Sequence, residues 1–302
     1  MLANQQKLHS RETATAWLFA LPALLGLICF VLLPFVLALV LSFTNLRLGS
    51  PLPLEYVGLT QYQRLFTDSA FLYALRNNTL FALIVVPLQT GLALFLALLI
   101  NQPLRGMVGF RTLFFMPVVF PLSLVSVVWI LLFAPGPLGT INSVLETVTF
   151  GIWQSRDFLH DTTWALPAIT LTSVWQGVGF QMIILLAALQ SIPLELYEAA
   201  RVDGAGKRQQ FFFITLPQLR NALIFVVLVT TILAFRLFDQ IQIMTQGGPQ
   251  FATTTVMYEA VNAAFASQQV AKGAAMTVVF FTIVLLLTLL QRYLVKHEKV
   301  IE

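Results

Sequence analysis

Six long apolar runs divide the chain, at approximately 17–43, 74–100, 110–134, 163–190, 221–244 and 271–294. Each is long enough for the span of about 20 residues with which a helix crosses the hydrocarbon core of a bilayer. The runs lack the two-residue alternation of a membrane barrel, and lipid offers no hydrogen-bond partner to an exposed backbone, so each run predicts a helix. The pattern therefore predicts an all-α, polytopic membrane protein with six transmembrane helices. The polar segments between runs, at about 44–73, 135–162 and 245–270, are too short for independent domains, so 1–302 reads as one membrane domain. The first run follows Lys7 and Arg11 and is far longer than the apolar core of a signal peptide, about 7 to 15 residues, which predicts an uncleaved anchor.

Composition sharpens this picture. Of the 302 residues, 58% are hydrophobic and 10% charged, against roughly 25% charged in soluble domains, and the mean hydropathy is +0.84. The formal net charge is +4, but the cations sit between apolar runs rather than on one soluble face, so membrane lipid and no nucleic acid is the predicted environment. Of the 17 Lys and Arg, eleven fall on the side of the N-terminus: Lys7, Arg11, Arg105, Arg111, Arg201, Lys207, Arg208, Arg220, Arg292, Lys296 and Lys299. The remaining six are Arg47, Arg64, Arg76, Arg156, Arg236 and Lys272. This bias predicts both termini in the cytoplasm.

Several chemistries are excluded. The single cysteine, Cys29, lies inside an apolar run, so there is no internal disulfide and no multi-cysteine metal site. His9, His160 and His297 are widely separated and share no metal-ligand spacing. Gly204-Ala205-Gly206-Lys207 superficially resembles a phosphate loop, but Arg201 stands where the first glycine belongs. The chain is predicted to be non-catalytic, with no metal or cofactor of its own.

The segment 191–217 is unlike an ordinary connector. Pro193 can open a helix, Glu195 and Glu198 suit its positive N-terminal end, and Gly204 can close it in a left-handed cap. A short amphipathic helix is expected there. It would be either an interfacial helix lying on headgroups or a docking knob; small Ala199, Ala200, Gly204 and Ala205 permit close approach, and Glu198 and Asp203 can pair with cations on a partner.

Glu198-Ala199-Ala200, three residues, Gly204, nine residues, Ile214, one residue and Leu216-Pro217 resembles the EAA loop of binding-protein-dependent ABC importer permeases. Tyr56-Val57-Gly58-Leu59-Thr60-Gln61-Tyr62, Ala187-Ala188-Leu189-Gln190-Ser191-Ile192-Pro193, Met244-Thr245-Gln246-Gly247-Gly248-Pro249 and Ala16-Trp17-Leu18-Phe19-Ala20-Leu21-Pro22 resemble its carbohydrate-uptake, MalF/UgpA-like branch in the six-helix form. The resemblance implies a type I ABC importer permease fold with a cytoplasmic EAA coupling helix, in a bacterial inner membrane. It implies a translocation path for a sugar, glycoside or related polyol, and three kinds of partner: a second homologous permease, two ATP-binding subunits carrying ATP and Mg, and an extracytoplasmic solute-binding protein. It assigns ATPase coupling to Glu198, Ala199, Ala200, Asp203, Gly204, Ala205, Leu216 and Pro217.

A polar residue within a span is costly in lipid and normally faces the bundle interior. In the fourth run Ser173, Gly177, Phe180 and Gln181 recur at offsets of one helical face, with Gln176 beside them; in the fifth, Thr230, Ala234 and Leu237 do the same. These positions match those lining the sugar site of the maltose permease, although Ala234 and Leu237 replace asparagines. Arg236 and Asp239, three apart, are either a local ion pair or contacts to a polar substrate. The competing class, a self-contained secondary transporter or channel, would show paired inverted repeats or several buried ion-coupling residues, and neither is evident.

Overall fold

The computed structural model describes residues 16–102, 106–136 and 139–296. Lys7, Arg11, Arg105 and Lys299 of the charge bias, with His9 and His297, lie outside the described residues. The fold is all-α. In chain order the main helices of the described residues are α1 (Ala16–Leu41), α2 (Thr60–Leu65), α3 (Ser69–Ile100), α4 (Met107–Val119), α5 (Leu122–Leu132), α6 (Thr140–Val148), α7 (Ala165–Gln190), α8 (Leu194–Val202), α9 (Lys207–Gln210), α10 (Arg220–Phe235), α11 (Asp239–Met244), α12 (Val256–Val261) and α13 (Val270–Lys296), with further short helical turns at Phe211–Thr215, Leu216–Gln218 and Asn262–Ala266.

Helices α1, α3, α7 and α13 realise the first, second, fourth and sixth runs. Helix α3 starts earlier than the apolar run, at Ser69, because Asp68 is extended and accepts the Ala70 N–H at 3.0 Å, an N-cap that satisfies one of the first orphan donors. The third run is not one straight span. It breaks into α4 and α5, bent by 99°. Pro121 has no N–H to continue a helix and drives Phe120 out of the α region, to φ −79° and ψ 138°. The fifth run is realised by α10 and α11 together as one span, Arg220–Met244, locally unwound where α10 stops at Phe235 and α11 begins at Asp239, with Phe238 at φ −137° and ψ −59°. The freed carbonyls find side-chain donors, Asn78 Nδ2 at 3.3 Å from the Phe235 oxygen and Thr255 Oγ1 at 2.9 Å from that of Leu237.

The chain forms two compact units, residues up to Leu65 with Ala260–Val279, and Phe66–Glu259 with the residues from Phe280 onward. In the first, an isolated antiparallel bridge pairs Thr44 with Tyr56, Gln61 Nε2 donates to the Thr44 carbonyl at 2.9 Å, and the Ala271 N–H donates to the Leu46 carbonyl at 3.0 Å. Helix α1 belongs to this unit and is exposed on all sides, Phe19 at 80% and Phe30 at 84%. Apolar surface of that kind requires lipid or another apolar partner around it.

In the second unit α3 packs along α7 and α10, and α4 packs on α7. Ala93, Leu96, Ala97, Ile100, Val178, Met182, Leu185, Leu186 and Leu189 interdigitate with Leu219 and Val226 in one buried cluster. Two adjacent buried asparagines of α3 tie down the segment that follows α11. Asn77 Nδ2 donates to the carbonyls of Phe251 (2.7 Å) and Thr254 (3.0 Å), and Asn78 Oδ1 accepts the Val256 N–H at 2.8 Å.

The 139–164 segment is organised by Asn142. Its Nδ2 donates to the carbonyls of Ala134 and Arg156, both at 2.9 Å, and its Oδ1 accepts from Trp153 Nε1 at 3.1 Å and the Arg156 N–H at 3.0 Å. The Arg156 guanidinium lies 5.6 Å from the ring centroids of both Trp153 and Trp164, within cation–π range. Replacing a buried amide that serves four partners strands their polar groups, so Asn142→Leu is expected to destabilise this unit by about 2–3 kcal/mol. A lowered melting temperature of the detergent-solubilised protein is the measurement; an unchanged value would show that water replaces the amide without loss.

Candidate functional site

A cavity of about 350 Å³ lies inside the second unit. Helix α7 forms one wall with Ser173, Gln176, Gly177, Phe180, Gln181 and Ile184; α10, the break after it and the start of α11 form another, between Val226 and Gln240; α3 contributes Phe81, Val85 and Gln89, and the bent third run Val118 and Leu122. All ten residues that sequence reasoning placed on a substrate path, namely Ser173, Gln176, Gly177, Phe180, Gln181, Thr230, Ala234, Arg236, Leu237 and Asp239, lie on this one cavity. The size suits a small-molecule pocket, for which about 300–1,000 Å³ is usual.

The polar groups are fixed from below. Gln181 Nε2 donates to Thr230 Oγ1 at 2.6 Å, joining α7 to α10. Ser173 Oγ lies 2.5 Å from the Gln240 amide, joining α7 to α11. Gly177 is small for a reason: a Cβ there would come within 1.9 Å of Gln89 Nε2. Arg236 and Asp239 are exposed and form no ion pair with each other. Of the two readings open for them, the structure therefore leaves both charges unpaired with one another on the cavity wall. Outside the spans, burial and then the Glu259 carboxylate raise the Tyr258 hydroxyl above its ordinary 10.0, keeping it a neutral phenol.

Sequence reasoning missed Gln89 and Gln240, 5% and 1% exposed. Gln89 carried a legible signal, an amide in the middle of an apolar run, which is costly unless turned inward. Gln240 carried none by itself, since it is placed by the break between α10 and α11.

The 191–217 segment holds the second candidate site. Pro193 sits at the N-cap of α8, one residue before the first turn, at φ −60° and ψ 133°. Gly204 is at φ +78°. The Ala205 N–H donates to the Ala200 carbonyl at 2.8 Å and the Gly204 N–H to the Arg201 carbonyl at 3.1 Å, the paired bonds of a Schellman C-cap. Nothing in α8 is fully buried. Glu198, Ala199, Asp203, Gly204 and Pro217 are exposed, while Ala200, Ala205 and Leu216 are half-buried. The helix is held from one side, by Tyr197 Oη against Thr215 Oγ1 at 2.9 Å and by Tyr197 and Ile214 on the buried cluster. The result is a short, exposed helix separated from the end of α7 by three residues, Ser191, Ile192 and Pro193.

Residues 89–300 match the family model described as "Binding-protein-dependent transport system inner membrane component". The chain belongs to this family. Among relatives of the permease is the probable ABC transporter permease protein YurN of Bacillus subtilis (strain 168), 34% identical over 301 residues, covering 99% of each chain. Another is the lactose transport system permease protein LacF of Rhizobium radiobacter, 33% identical over 300 residues, covering 98% of the permease and 99% of the relative. A solved bacterial ABC transporter involved in the import of the acidic polysaccharide alginate superposes with a TM-score of 0.83 at 19% identity, covering 98% of the permease and 100% of that chain. At that identity the likeness establishes the fold.

Proposed function

We propose that this permease is one of two membrane subunits of an ATP-driven type I importer. It forms part of the translocation path for a sugar, glycoside or related polyol and couples to an ATPase through α8. The observation that carries this reading is the placement of the two sites on one lever. Helix α7 lines the cavity from Ser173 to Ile184, ends at Gln190 and passes through buried Ile192 into α8. A push on exposed Glu198, Ala199 and Asp203 is thereby transmitted to the cavity wall through a close-packed interior, which passes strain on rather than absorbing it.

The carbohydrate class is supported by the relative named for lactose transport. With both termini in the cytoplasm, as the Lys and Arg bias favours, α8 faces the two ATP-binding subunits and the 44–73 and 245–270 segments face the solute-binding protein. Closure of the ATPase dimer pushes α8 and opens the cavity to the outside, and the nucleotide chemistry stays on the partners. Purification of the tagged chain from its native membrane in gentle detergent, with mass spectrometry of what accompanies it, tests the reading. An ATPase and a second permease should be recovered; a solitary chain that transports by itself would replace it with a secondary transporter.

A further inference from the structure

Two further cavities of the second unit, of about 560 and 550 Å³, adjoin along α7, where Leu171 and Val174 line both. Together they form one crevice between α3 and α7 that continues along α4. From Thr163 to Val178 it follows α7 for about 22 Å at 1.5 Å per residue. Half of a bilayer of about 40–45 Å, headgroups included, has that depth. The crevice is graded along its length. The cavity against α4 has no charged, amide or hydroxyl side chain on its wall, and the first cavity is floored by half-exposed Leu80, Ile84, Leu88 and Leu171. The polar groups gather at the end remote from α8: Arg76, Thr162, Thr163 and Gln250.

The lip of this mouth is held in a costly conformation. Gln250 and Phe251 have φ of +48° and +63°, where a residue other than glycine is strained, and such strain clusters at sites with a function. Asn77 keeps the turn in place by donating to the Phe251 carbonyl, and Tyr73 stacks on the Phe251 ring with centroids 6.0 Å apart. Arg76, Thr162, Thr163 and Gln250 are exposed, and none of the four side chains has a hydrogen-bond or ionic partner among the described residues. No carboxylate among the described residues lines either cavity. Neighbouring Asp161 is engaged by the N–H groups of Thr163 and Trp164, at 2.7 and 3.3 Å.

We propose that this crevice binds one anionic phospholipid of the phosphatidylglycerol type, with an acyl chain lying along α7 and the phosphate at Arg76. The site is separate from the proposed cargo cavity and does not depend on that reading. Unfilled apolar space forfeits its dispersion contacts, and a hydrocarbon chain supplies them along the whole crevice. At the mouth the guanidinium gains a phosphate partner, while the two threonines and Gln250 meet the hydroxyls of a glycerol headgroup. A zwitterionic headgroup fits less well, because its ammonium finds no carboxylate there. An apolar helix of another chain would fill the floor but leave the four polar side chains of the mouth unpaired. The bound lipid ties the start of α7 to α3 and to the 250–252 turn.

The test uses tagged permease purified in gentle detergent with the subunits that accompany it, carrying the photo-crosslinking substitution Ile84→p-benzoylphenylalanine. Irradiation in nanodiscs made of equal parts phosphatidylglycerol and phosphatidylethanolamine should add a phospholipid to the chain, read by mass spectrometry. Phosphatidylglycerol should be captured about ten times more often, the effect of one charge-assisted hydrogen bond. Arg76→Gln should bring the ratio close to one, and Arg76→Lys, which keeps the cation, should retain most of it. Leu88→Trp, at a half-exposed position on the floor, should lower capture of both lipids by narrowing the crevice. Equal capture of the two lipids, or a preference that survives Arg76→Gln, overturns the proposal. Capture of a second permease at Ile84 in place of lipid overturns it as well, since a protein helix then covers the crevice. If the crosslinking variant does not assemble, the unmodified permease serves: added phosphatidylglycerol should raise its melting temperature more than phosphatidylethanolamine does, and Arg76→Gln should cancel the difference. Equal thermal shifts from the two lipids would sink the proposal in that form of the test.

Discussion

Gly204→Val is expected to abolish most ATP-driven import while leaving the permease folded in the membrane. A Cβ at Gly204 meets nothing within 4 Å, so there is no clash to relieve. The penalty is in the backbone: φ is +78°, where an L residue pays about 1–2 kcal/mol and a β-branched one is especially disfavoured. That is enough to depopulate the capped conformation by a factor of roughly 5–30. With the cap go the Ala205-to-Ala200 and Gly204-to-Arg201 bonds that stop α8 at a defined residue, and with them the position of Asp203 and Ala205. The Tyr197–Thr215 tie is made seven residues before Gly204 and involves neither cap bond, so it should persist. In reconstituted transporter, import should fall about tenfold or more while ATP hydrolysis continues. Gly204→Asn, which tolerates the left-handed region, should retain most import. Equal defects in the Val and Asn variants would show that the backbone conformation is not what coupling requires.

The apolar pattern located the spans that are continuous helices, because hydrocarbon thickness and backbone satisfaction alone decide those. It did not locate the two breaks. The one at Phe120 was legible in principle, since Pro121 within an apolar run is a stop signal that hydropathy, being blind to order, passes over. The one after Phe235 was not. No Pro or Gly lies at 236–238, and the interruption is stabilised by Asn78 and Thr255, donors remote in sequence. The helical offsets that grouped Ser173, Gly177, Phe180 and Gln181 are a local property, and the structure places all four on the cavity. Gln240 depends on the break, so it was visible only once the fold was known. The helix around Glu198 was readable at both ends because Pro193 and Gly204 are backbone signals, whereas its tie to Thr215 is tertiary.

Gly179→Ala is expected to be among the most destabilising single changes in the second unit, and its comparison with Gly177→Ala separates packing from function. A Cβ at Gly179 would lie 2.0 Å from the Phe114 carbonyl oxygen, 2.8 Å from its carbon and 3.0 Å from the Phe115 Cα. All three atoms are backbone of α4, so no rotamer change relieves the clash and the two helices must separate. Small residues at such crossings are what allow membrane helices to approach closely. Overpacking of this kind costs about 1–3 kcal/mol for a methyl group, and Gly179→Leu should cost more. At Gly177 the Cβ would instead meet Gln89 Nε2 at 1.9 Å and Cδ at 3.2 Å, the far end of a flexible side chain that can swing away. Gly177→Ala should therefore leave the melting temperature nearly unchanged and alter transport by moving the Gln89 amide within the cavity. Gly179→Ala should lower the melting temperature and the amount of folded permease in the membrane. It should also impair transport in the molecules that do fold, because displacing α4 moves Val118, and through the bend at Pro121 Leu122, on the cavity wall. Equal thermal shifts in the two alanine variants would mean that α4 and α7 are not in rigid contact, and the argument from backbone approach would fail with them.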